Sequence, residues 1–420
     1  VARILELVEN STENKAKTEN FITKFARIYT PIVVFAAIAL AIIPGLIQSA
    51  MNGFTDLSGW IGEDGWVYRA LSFLVVSCPC ALVISVPLSY FGGIGGASRY
   101  GIMIKGANFM EELAKAQTFV FDKTGTLTKG SFAVTEVVPD GMSENELLGI
   151  CAAAETYSTH PIAQSIIAEG KKRGVTTTAA DAEEIAGYGV KATVNNSTAL
   201  VGNHRLMERE NIPTPTVETP GTVVHCAIDG KYAGYIVISD EIKPGTPSAL
   251  AALKKHCNAK TVMLTGDRRA AAEAVAKQAG IDEFHAELLP DGKVSQVEAL
   301  YKAKPENTTL VFVGDGMNDA PALARADVGI AMGAMGSDAA IEAADIVLMN
   351  DNIESLPTAV RISKKTHAIV MQNIIFAIGV KVLIMLLTAV GITSMWTAIF
   401  GDVGVAIIAI LNAMRSMRIK

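Results

Sequence analysis

Three short apolar runs in the middle of the chain lead into acidic residues that suit phosphoryl-transfer chemistry. "TFVFD" ends at Asp122, "TVMLTGD" ends at Asp267, "TLVFVGDGMND" contains Asp315 and Asp319, and "LPDGK" adds Lys293. Ligands of open α/β sheets bind at the carboxyl ends of the strands, so we expect these groups to share one edge of a sheet. At that edge, Mg²⁺ and a lysine would neutralise phosphate oxygens while one aspartate attacks.

The order of these loops distinguishes a reactive site from ordinary helix caps. A single aspartate after a strand more often only caps a helix. Three such loops, with Thr265 adding a hydroxyl to the second, favour a reactive site. The chain has no G-x-x-x-x-G-K-[ST] loop, which excludes Walker-type chemistry.

A second pattern with chemical potential is a proline between two thiols inside an apolar run. "VVSCPCALVISVP" (75–87) contains Cys78, Pro79 and Cys80. A proline breaks helical hydrogen bonding, and in lipid such breaks line paths or cavities because freed backbone groups need partners. Thiolates are soft ligands that suit Zn²⁺, Cd²⁺, Pb²⁺ or Cu⁺. The alternative is a kinked helix with two buried, inert cysteines.

Two charged residues in the last apolar runs favour the metal-site interpretation. Lys381 lies in "AIGVKVLIMLL" and Asp402 in "FGDVGVAIIAIL". A charge at the centre of a bilayer costs about 2.5–3.5 kcal/mol on insertion scales, so such residues face partners or water. A carboxylate beside two thiolates suits a divalent ion better than Cu⁺. We expect Lys381 to be a counter-cation that pairs with Asp402 and lowers metal affinity for release.

The elements that must position these residues divide into membrane and soluble parts. Hydrophobic residues make up 50% of the 420 positions and the mean hydropathy is +0.34. Four apolar stretches approach the ~20 residues needed to cross a bilayer. They lie at 29–50, 67–92, 368–390 and 396–414. The net charge of −6 argues against a nucleic-acid footprint.

The placement of lysine and arginine orients the four predicted spans. The loop 51–66 carries acidic residues but no lysine or arginine, and basic residues flank the opposite ends of the spans. By the positive-inside rule, both termini and residues 105–366 are expected in the cytoplasm.

The soluble block reads as alternating strands and helices. Continuous apolar runs such as "TLVFVGDG" alternate with Ala-rich stretches such as "RRAAAEAVAKQAG", which ends on Gly280 as a helix C-cap does. This order predicts a parallel sheet covered on both faces. The interval 133–240, with Asp229-Gly230 as a hairpin turn, predicts an inserted α+β domain.

The three loops resemble the hallmark loops of the P-type ATPases: "DKTGTLT" (122–128), "TGD" (265–267) and "GDGMND" (314–319). The resemblance implies that ATP phosphorylates Asp122 and that the sheet domain is haloacid-dehalogenase-like. It implies that Mg²⁺ binds to Asp122, the Thr124 carbonyl and Asp315. The phosphate would be held by Thr265, Gly266, Lys293 and Asn318, with Asp267 and Asp319 completing their loops.

Residues of the insert extend the resemblance to the heavy-metal branch of this family. "AAAETYSTHPIAQSII" contains Glu155 and His160, and "GYGV" contains Gly187 and Gly189. Taken alone, the histidine would be an ordinary helix start and the glycines an ordinary turn. The ordered set resembles the residues that contact the adenosine of ATP in that branch, which makes the insert the nucleotide-binding domain.

The Cys78-Pro79-Cys80, Lys381 and Asp402 set resembles the zinc/cadmium/lead-exporting ATPases. Copper-exporting relatives, the first alternative, add Tyr-Asn and Met/Ser ligands that this chain lacks. A soluble phosphatase would lack the four spans, and a potassium-pump subunit would lack the Cys-Pro-Cys motif. A non-transporting fragment that binds metal and ATP is the last alternative.

The chain departs from the family pattern in one respect: it contains no Thr-Gly-Glu loop of an actuator domain. We therefore expect the carboxyl-terminal part of a larger pump, able to bind ATP but not to dephosphorylate efficiently or to transport. The expected parts are a juxtamembrane segment (1–28), a hairpin with the Cys-Pro-Cys site (29–105), the phosphorylation domain (106–132 and 241–357), the nucleotide-binding insert (133–240) and a carboxyl-terminal hairpin (358–420).

Overall fold

The computed structural model describes residues 20–51, 65–77, 80–175, 177–217, 219–315, 319–333, 338–392 and 395–418. Cys78 and Asn318, two of the candidate site residues, lie outside these ranges.

Helices make up the membrane region and cover both sheets. They are α1 (Asn20–Met51), α2 (Trp66–Val76), α3 (Cys80–Ser98), α4 (Ala107–Ala114), α5 (Glu144–Ala154), α6 (Pro161–Lys172), α7 (His204–Arg209), α8 (Thr246–Cys257), α9 (Arg269–Ala279), α10 (Pro290–Ala303), α11 (Ala320–Arg325), α12 (Asp338–Ala343), α13 (Ser355–Val390) and α14 (Met395–Ala413).

The strands form two sheets. They are β1 (Ile102–Ile104), β2 (Ala116–Asp122), β3 (Thr128–Pro139), β4 (Ala179–Ile185), β5 (Gly189–Val194), β6 (Ser197–Gly202), β7 (Thr222–Ile228), β8 (Lys231–Ile242), β9 (Lys260–Leu264), β10 (Glu283–His285), β11 (Thr309–Gly314), β12 (Val328–Met332) and β13 (Ile346–Leu348).

Four segments are long and apolar enough to cross a membrane, which confirms the predicted membrane region. They are Arg27–Met51, Trp66–Ser98, Ser355–Val390 and Ile399–Met417. Many of their large apolar side chains, such as Phe35, Phe91 and Phe400, are exposed, as lipid-facing side chains would be. The second segment is interrupted, since α2 ends before the Cys-Pro-Cys motif and α3 begins within it.

The larger sheet has the strand order β1-β13-β12-β11-β2-β9-β10. All neighbours in it are parallel except β1, which is antiparallel to β13. Apolar clusters cover both faces, and Phe119, Val120 and Phe121 of β2 are fully buried. The predicted doubly covered parallel sheet is confirmed. The edge strands β1 and β10 were not predicted, because three residues are too short to show a periodic pattern.

The topology of this sheet explains why the acidic loops meet. Strand β2 lies at its centre, hydrogen-bonded to β11 on one side and to β9 on the other. Asp122 ends β2, Thr265 follows β9 and Asp315 follows β11. Because the three strands run in the same direction, their carboxyl ends place these residues at one edge.

The inserted domain is built on an antiparallel sheet with the order β3-β8-β7-β6-β5-β4. Helices α5 and α6 cover one face through a core that includes Leu147, Ile166 and Ile236. The hairpin predicted at Asp229-Gly230 connects β7 to β8, and both residues have positive φ (45° and 75°), as such turns require. The outer pair β3/β8 begins at the register Thr128↔Ile242, close to the phosphorylation loop.

Candidate phosphorylation, nucleotide and metal sites

The centre of the candidate phosphorylation site is a lysine held between two aspartates. Lys293 Nζ, near the start of α10, lies 2.5 Å from Asp122 Oδ1 and 2.9 Å from Asp319 Oδ1. All three side chains are largely buried. One oxygen each of Asp122, Asp315 and Asp319 lies within 4.8 Å of the others. The structure therefore brings together the acidic residues of two predicted loops and the predicted lysine.

The electrostatics of this cluster favour a bound cation. Burial and the neighbouring charge of Asp319 raise the pKa of Asp122 to about 7, although Lys293 opposes the shift. Burial and Asp319 also raise the pKa of Asp315 to about 6. Three carboxylates facing one lysine leave excess negative charge, and hard oxygen ligands are the ones that Mg²⁺ prefers. The residues present therefore fit a magnesium ion.

The loop after Asp122 is shaped by a glycine that no other residue could replace without strain. Gly125 has φ +74°, and a Cβ added to it would lie 1.6 Å from Asp315 Oδ2. Lys243 donates hydrogen bonds to the Gly125 carbonyl and to Asp351 Oδ2. The predicted magnesium ligand Thr124 is exposed in this loop, two residues after Asp122. The backbone thus approaches Asp315 more closely than any side chain would allow.

The second predicted loop lies beside the first. Thr265 is buried, and its Oγ1 accepts a hydrogen bond from the Asp267 amide (3.1 Å). A Cβ on Gly266 would lie 3.1 Å from the Leu288 carbonyl oxygen, so this backbone is also closely packed. Asp267 forms an ion pair with Lys123, the residue that follows Asp122. Sequence analysis singled out no role for Lys123, and the ion pair now connects the two loops.

The four candidate nucleotide residues lie in the antiparallel-sheet domain. Glu155 caps the carboxyl end of α5, and burial raises its pKa to about 7, with the charge of Glu184 on β4 adding to the shift. His160 is the N-cap of α6 and is exposed, and its Nδ1 accepts a hydrogen bond from the Ile162 amide (3.3 Å). His160 therefore serves the start of a helix, as the ordinary interpretation of that residue expected.

The two candidate glycines lie at the connection between β4 and β5. Gly187 is in the turn, and Gly189 is the first residue of β5. Gly187 has φ +78° and Gly189 has φ +149°, and a Cβ on Gly189 would lie 2.2 Å from the Val201 carbonyl oxygen. Asn203 donates a hydrogen bond from Nδ2 to the Gly187 carbonyl (2.9 Å), and its amide donates to the Tyr188 carbonyl. Sequence analysis did not identify Asn203, because no local pattern indicates which turn an asparagine side chain will bind.

The membrane residues Lys381 and Asp402 form an ion pair. Lys381 Nζ of α13 lies 2.7 Å from Asp402 Oδ1 of α14, and both side chains are largely buried. They line a cavity of about 230 Å³ whose other walls are mostly apolar, including Val405 and Ala377. Cys80, the first residue of α3, is half-buried. The charges that the sequence placed inside the membrane thus neutralise each other.

Tyr29 is a polar residue of this region that sequence analysis did not single out. Its hydroxyl donates to the Ser77 carbonyl (2.8 Å), just before the Cys-Pro-Cys motif. A carbonyl at an interrupted helix end needs such a partner in lipid. Tyr29 also lines the cavity of the ion pair.

Comparison with known proteins gives consistent similarities. The model of the haloacid dehalogenase-like hydrolases matches residues 116–327. The chain is 52% identical to a zinc-transporting ATPase of Synechocystis over 99% of its own length and 56% of that protein. It is 53% identical to a cadmium, zinc and cobalt-transporting ATPase of Bacillus subtilis, over 100% of its length and 58% of that protein.

Solved structures agree with these sequence similarities. A crystal structure of a zinc-transporting PIB-type ATPase in the E2·Pi state superposes with a TM-score of 0.87 at 36% identity. The match covers 99% of this chain and 67% of that one. The chain thus spans a little more than half the length of the two relatives.

Proposed function

Because the chain belongs to the haloacid dehalogenase-like hydrolase family and is homologous to metal-transporting P-type ATPases, we propose that it is part of a pump. The pump uses ATP to export soft divalent metal ions, Zn²⁺, Cd²⁺ or Pb²⁺, across a membrane through a phospho-aspartate. The observation that carries this proposal is the pairing of two sites in one chain. One is the Asp122–Lys293–Asp319 cluster, and the other is the Lys381–Asp402 pair in the membrane region.

Asp122 is the proposed nucleophile. One carboxylate oxygen attacks the γ-phosphorus of ATP, a P–O bond to that oxygen forms, and the bond to the β-phosphate oxygen breaks with its electron pair leaving on ADP. Lys293 holds Asp122 in place at 2.5 Å and supplies positive charge beside the transferred group. Mg²⁺ held by Asp122, Asp315 and the Thr124 carbonyl supplies charge neutralisation when bound. Thr265, Gly266 and Asn318 complete the proposed phosphate contacts.

The antiparallel-sheet domain is the proposed ATP-binding domain. His160 keeps Nε2 available because only Nδ1 caps the helix, and the positive φ of Gly187 and Gly189 lets backbone lie close to a base. Glu155 is close enough to Glu184 of β4 for that charge to act on it, and its pKa of about 7 allows it to donate or accept a hydrogen bond near neutral pH.

The proposed ion site combines Cys78, Cys80 and Asp402, with Lys381 as the counter-cation. A bound divalent ion takes the place of the lysine ammonium on Asp402, and re-forming the 2.7 Å ion pair favours release. The Lys381→Ala variant should therefore still bind metal but turn over slowly, and unchanged turnover would contradict this role.

The proposed location is the cell membrane, with several spans and with both termini and the catalytic domains in the cytoplasm. The absence of lysine and arginine from the loop 51–66 supports this orientation. The regions of the relatives that lie outside the matched part, an actuator domain and amino-terminal spans, would act in the same pump. Its proposed partners are ATP, the metal ion and the lipid bilayer. We propose no nucleic-acid partner.

The experiment that tests the function is ATP hydrolysis by the complete pump in lipid nanodiscs, with chelator-buffered Zn²⁺, Cd²⁺, Pb²⁺ or Cu⁺. Stimulation by divalent soft ions is expected, and Cys78→Ala and Asp402→Ala should abolish it. Cys257→Ala, which removes another thiol, and Glu273→Gln, which neutralises an exposed carboxylate of the parallel-sheet domain, are controls and should leave it intact.

The outcomes separate the candidate functions. Stimulation by Cu⁺ alone with a silent Asp402→Ala variant would identify a copper exporter. Phosphorylation of Asp122 without stimulation by any of the metals would favour the non-transporting fragment.

A further inference from the structure

A basic cleft lies where the parallel-sheet domain meets the start of the long helix α13. The last turns of α8 and the first turns of α13 enclose a space of about 350 Å³. Arg361, Lys364 and Lys365 of α13 line it, together with His256 of α8. No aspartate or glutamate lines it among the residues that the structure describes.

The three cations of this cleft have no carboxylate partner among the residues that the structure describes. Within the described part of the chain, no carboxylate lies within 4 Å of Arg361, Lys364 or Lys365, whereas many other lysines form such pairs. Lys364 Nζ donates instead to the His256 carbonyl (3.1 Å) at the end of α8. That bond holds one ammonium in the cleft, and within the described residues the cleft keeps its excess positive charge.

The height of the cleft along α13 places it next to the lipid. Helix α13 has 36 residues, so at 1.5 Å per residue it is roughly 54 Å long and extends well beyond the ~30 Å hydrocarbon layer. The exposed apolar face begins near Ala368 and continues through Met371 and Ile375. Lys365 is three residues before Ala368, roughly 4.5 Å along the axis, which is within the headgroup layer.

We propose that this cleft binds the phosphate group of an anionic phospholipid. The cations would pair with the phosphate oxygens, and the acyl chains would extend along α13 toward the exposed apolar face that begins near Ala368. Basic pockets beside membrane helices on the cytoplasmic side bind such headgroups in this way. A bound headgroup would connect the sheet domain to α13, the helix that carries Lys381. The proposal does not depend on the transported ion.

The test is native mass spectrometry of the detergent-solubilised protein, titrated with phosphatidylglycerol or with phosphatidylcholine as the probe. We expect the first phosphatidylglycerol to bind in preference to phosphatidylcholine by at least about fivefold, the gain expected from a single cation near an anionic headgroup. The Arg361→Gln/Lys364→Gln/Lys365→Gln variant should lose this preference. The matched variant Lys171→Gln/Lys191→Gln/Lys231→Gln removes three exposed lysines of the antiparallel-sheet domain and should keep it.

Two further arms keep the proposal falsifiable. If the triple cleft variant does not fold, the single variant Lys365→Gln, whose side chain is exposed, should still weaken the preference by about fivefold. Millimolar inorganic phosphate should not remove the preference for phosphatidylglycerol. A lipid is anchored beside α13 by its acyl chains, whereas a free phosphate ion is not. Equal binding of the two lipids by the unmodified protein, an equal loss in both triple variants, or full displacement by inorganic phosphate would overturn the proposal.

Discussion

The molecule contains two lysine–aspartate pairs of similar geometry in very different surroundings. Lys293 lies 2.5 Å from Asp122 at the edge of the parallel sheet, and Lys381 lies 2.7 Å from Asp402 between two apolar helices. The first lysine also lies 2.9 Å from Asp319, and Asp315 belongs to the same cluster of carboxylates. The second lysine pairs with Asp402 in a mostly apolar cavity. The sheet site therefore carries excess negative charge, whereas the Lys381–Asp402 pair is neutral.

This difference in net charge indicates what each pair can do. The negative cluster at the sheet edge gains stability when a cation joins it, so it favours magnesium and a phosphate that approaches with it. The Lys381–Asp402 pair is neutral, and in the proposed pump a metal ion would have to displace the lysine to reach Asp402. In the proposed pump, the sheet site would favour binding of a cation, and the Lys381–Asp402 pair would favour release of the transported ion.

The largest expected effect comes from replacing Asp122, the proposed nucleophile of the sheet site. The variant Asp122→Asn keeps the size of the side chain but removes the attacking oxygen charge, so phosphorylation should fall on the order of 10³-fold or more. Incorporation of labelled γ-phosphate from ATP is the measurement. Glu273→Gln, an exposed carboxylate in the same domain, should retain normal incorporation. Label on Asp122→Asn at the normal level would place the nucleophile elsewhere.

The next effect tests whether Lys381 and Asp402 depend on each other for stability. Lys381→Met and Asp402→Asn each remove one half of the ion pair in a mostly apolar cavity, so each should lower the free energy of unfolding by about 3–5 kcal/mol. The double variant should be more stable than either single variant because no uncompensated charge remains. Thermal unfolding in nanodiscs gives the comparison. Additive losses in the double variant would show that the two residues do not depend on each other.

A smaller effect concerns the backbone that supports Asp315. Gly125→Ala places a methyl group against Asp315 Oδ2 and adds strain at φ +74°, so phosphorylation should fall more than the stability does. Gly230→Ala is the matched control, with φ +75° and no atom within 4 Å, and should cost only the left-handed strain of about 1–2 kcal/mol. Equal phosphorylation in the two variants would show that the close contact between Gly125 and Asp315 is not needed by the site.

The smallest effect is the pH dependence of stability without magnesium. The pKa of Asp122 is raised to about 7 and that of Asp315 to about 6, so the folded protein binds more protons than the unfolded chain between about pH 4 and 7. Stability from these groups is complete below pH 4 and is lost as the pH rises through 7.

The measurement is the unfolding temperature in chelator at pH 5 and at pH 8. Asp122→Asn should raise that temperature at pH 8 and change it little at pH 5, where Asp122 is already protonated. Added Mg²⁺ should reduce the difference between the variant and the unmodified protein at pH 8. A variant that is equally stabilised at both pH values would show that charge on Asp122 is not the cause.

Local patterns determined much of the fold and the types of the site residues. The apolar runs of β2, β9 and β11, the four membrane segments and the Asp229-Gly230 turn could be predicted because hydrophobic periodicity and turn chemistry act over a few residues. Each predicted strand ended at its acidic loop, so the shared edge followed from the parallel order.

Tertiary structure alone decided which of these residues touch. Lys293 is 171 residues from Asp122, and its contacts with Asp122 and Asp319 depend on how α10 packs beside the sheet. The Lys381–Asp402 pair depends on how α13 and α14 are rotated relative to each other. The hydrogen bond from Asn203 to Gly187 depends on the conformation of a turn 16 residues away. Such distances arise from packing between elements, which no local pattern encodes. The sequence by itself determined the groups and the elements that carry them, and packing determined which charges neutralise each other.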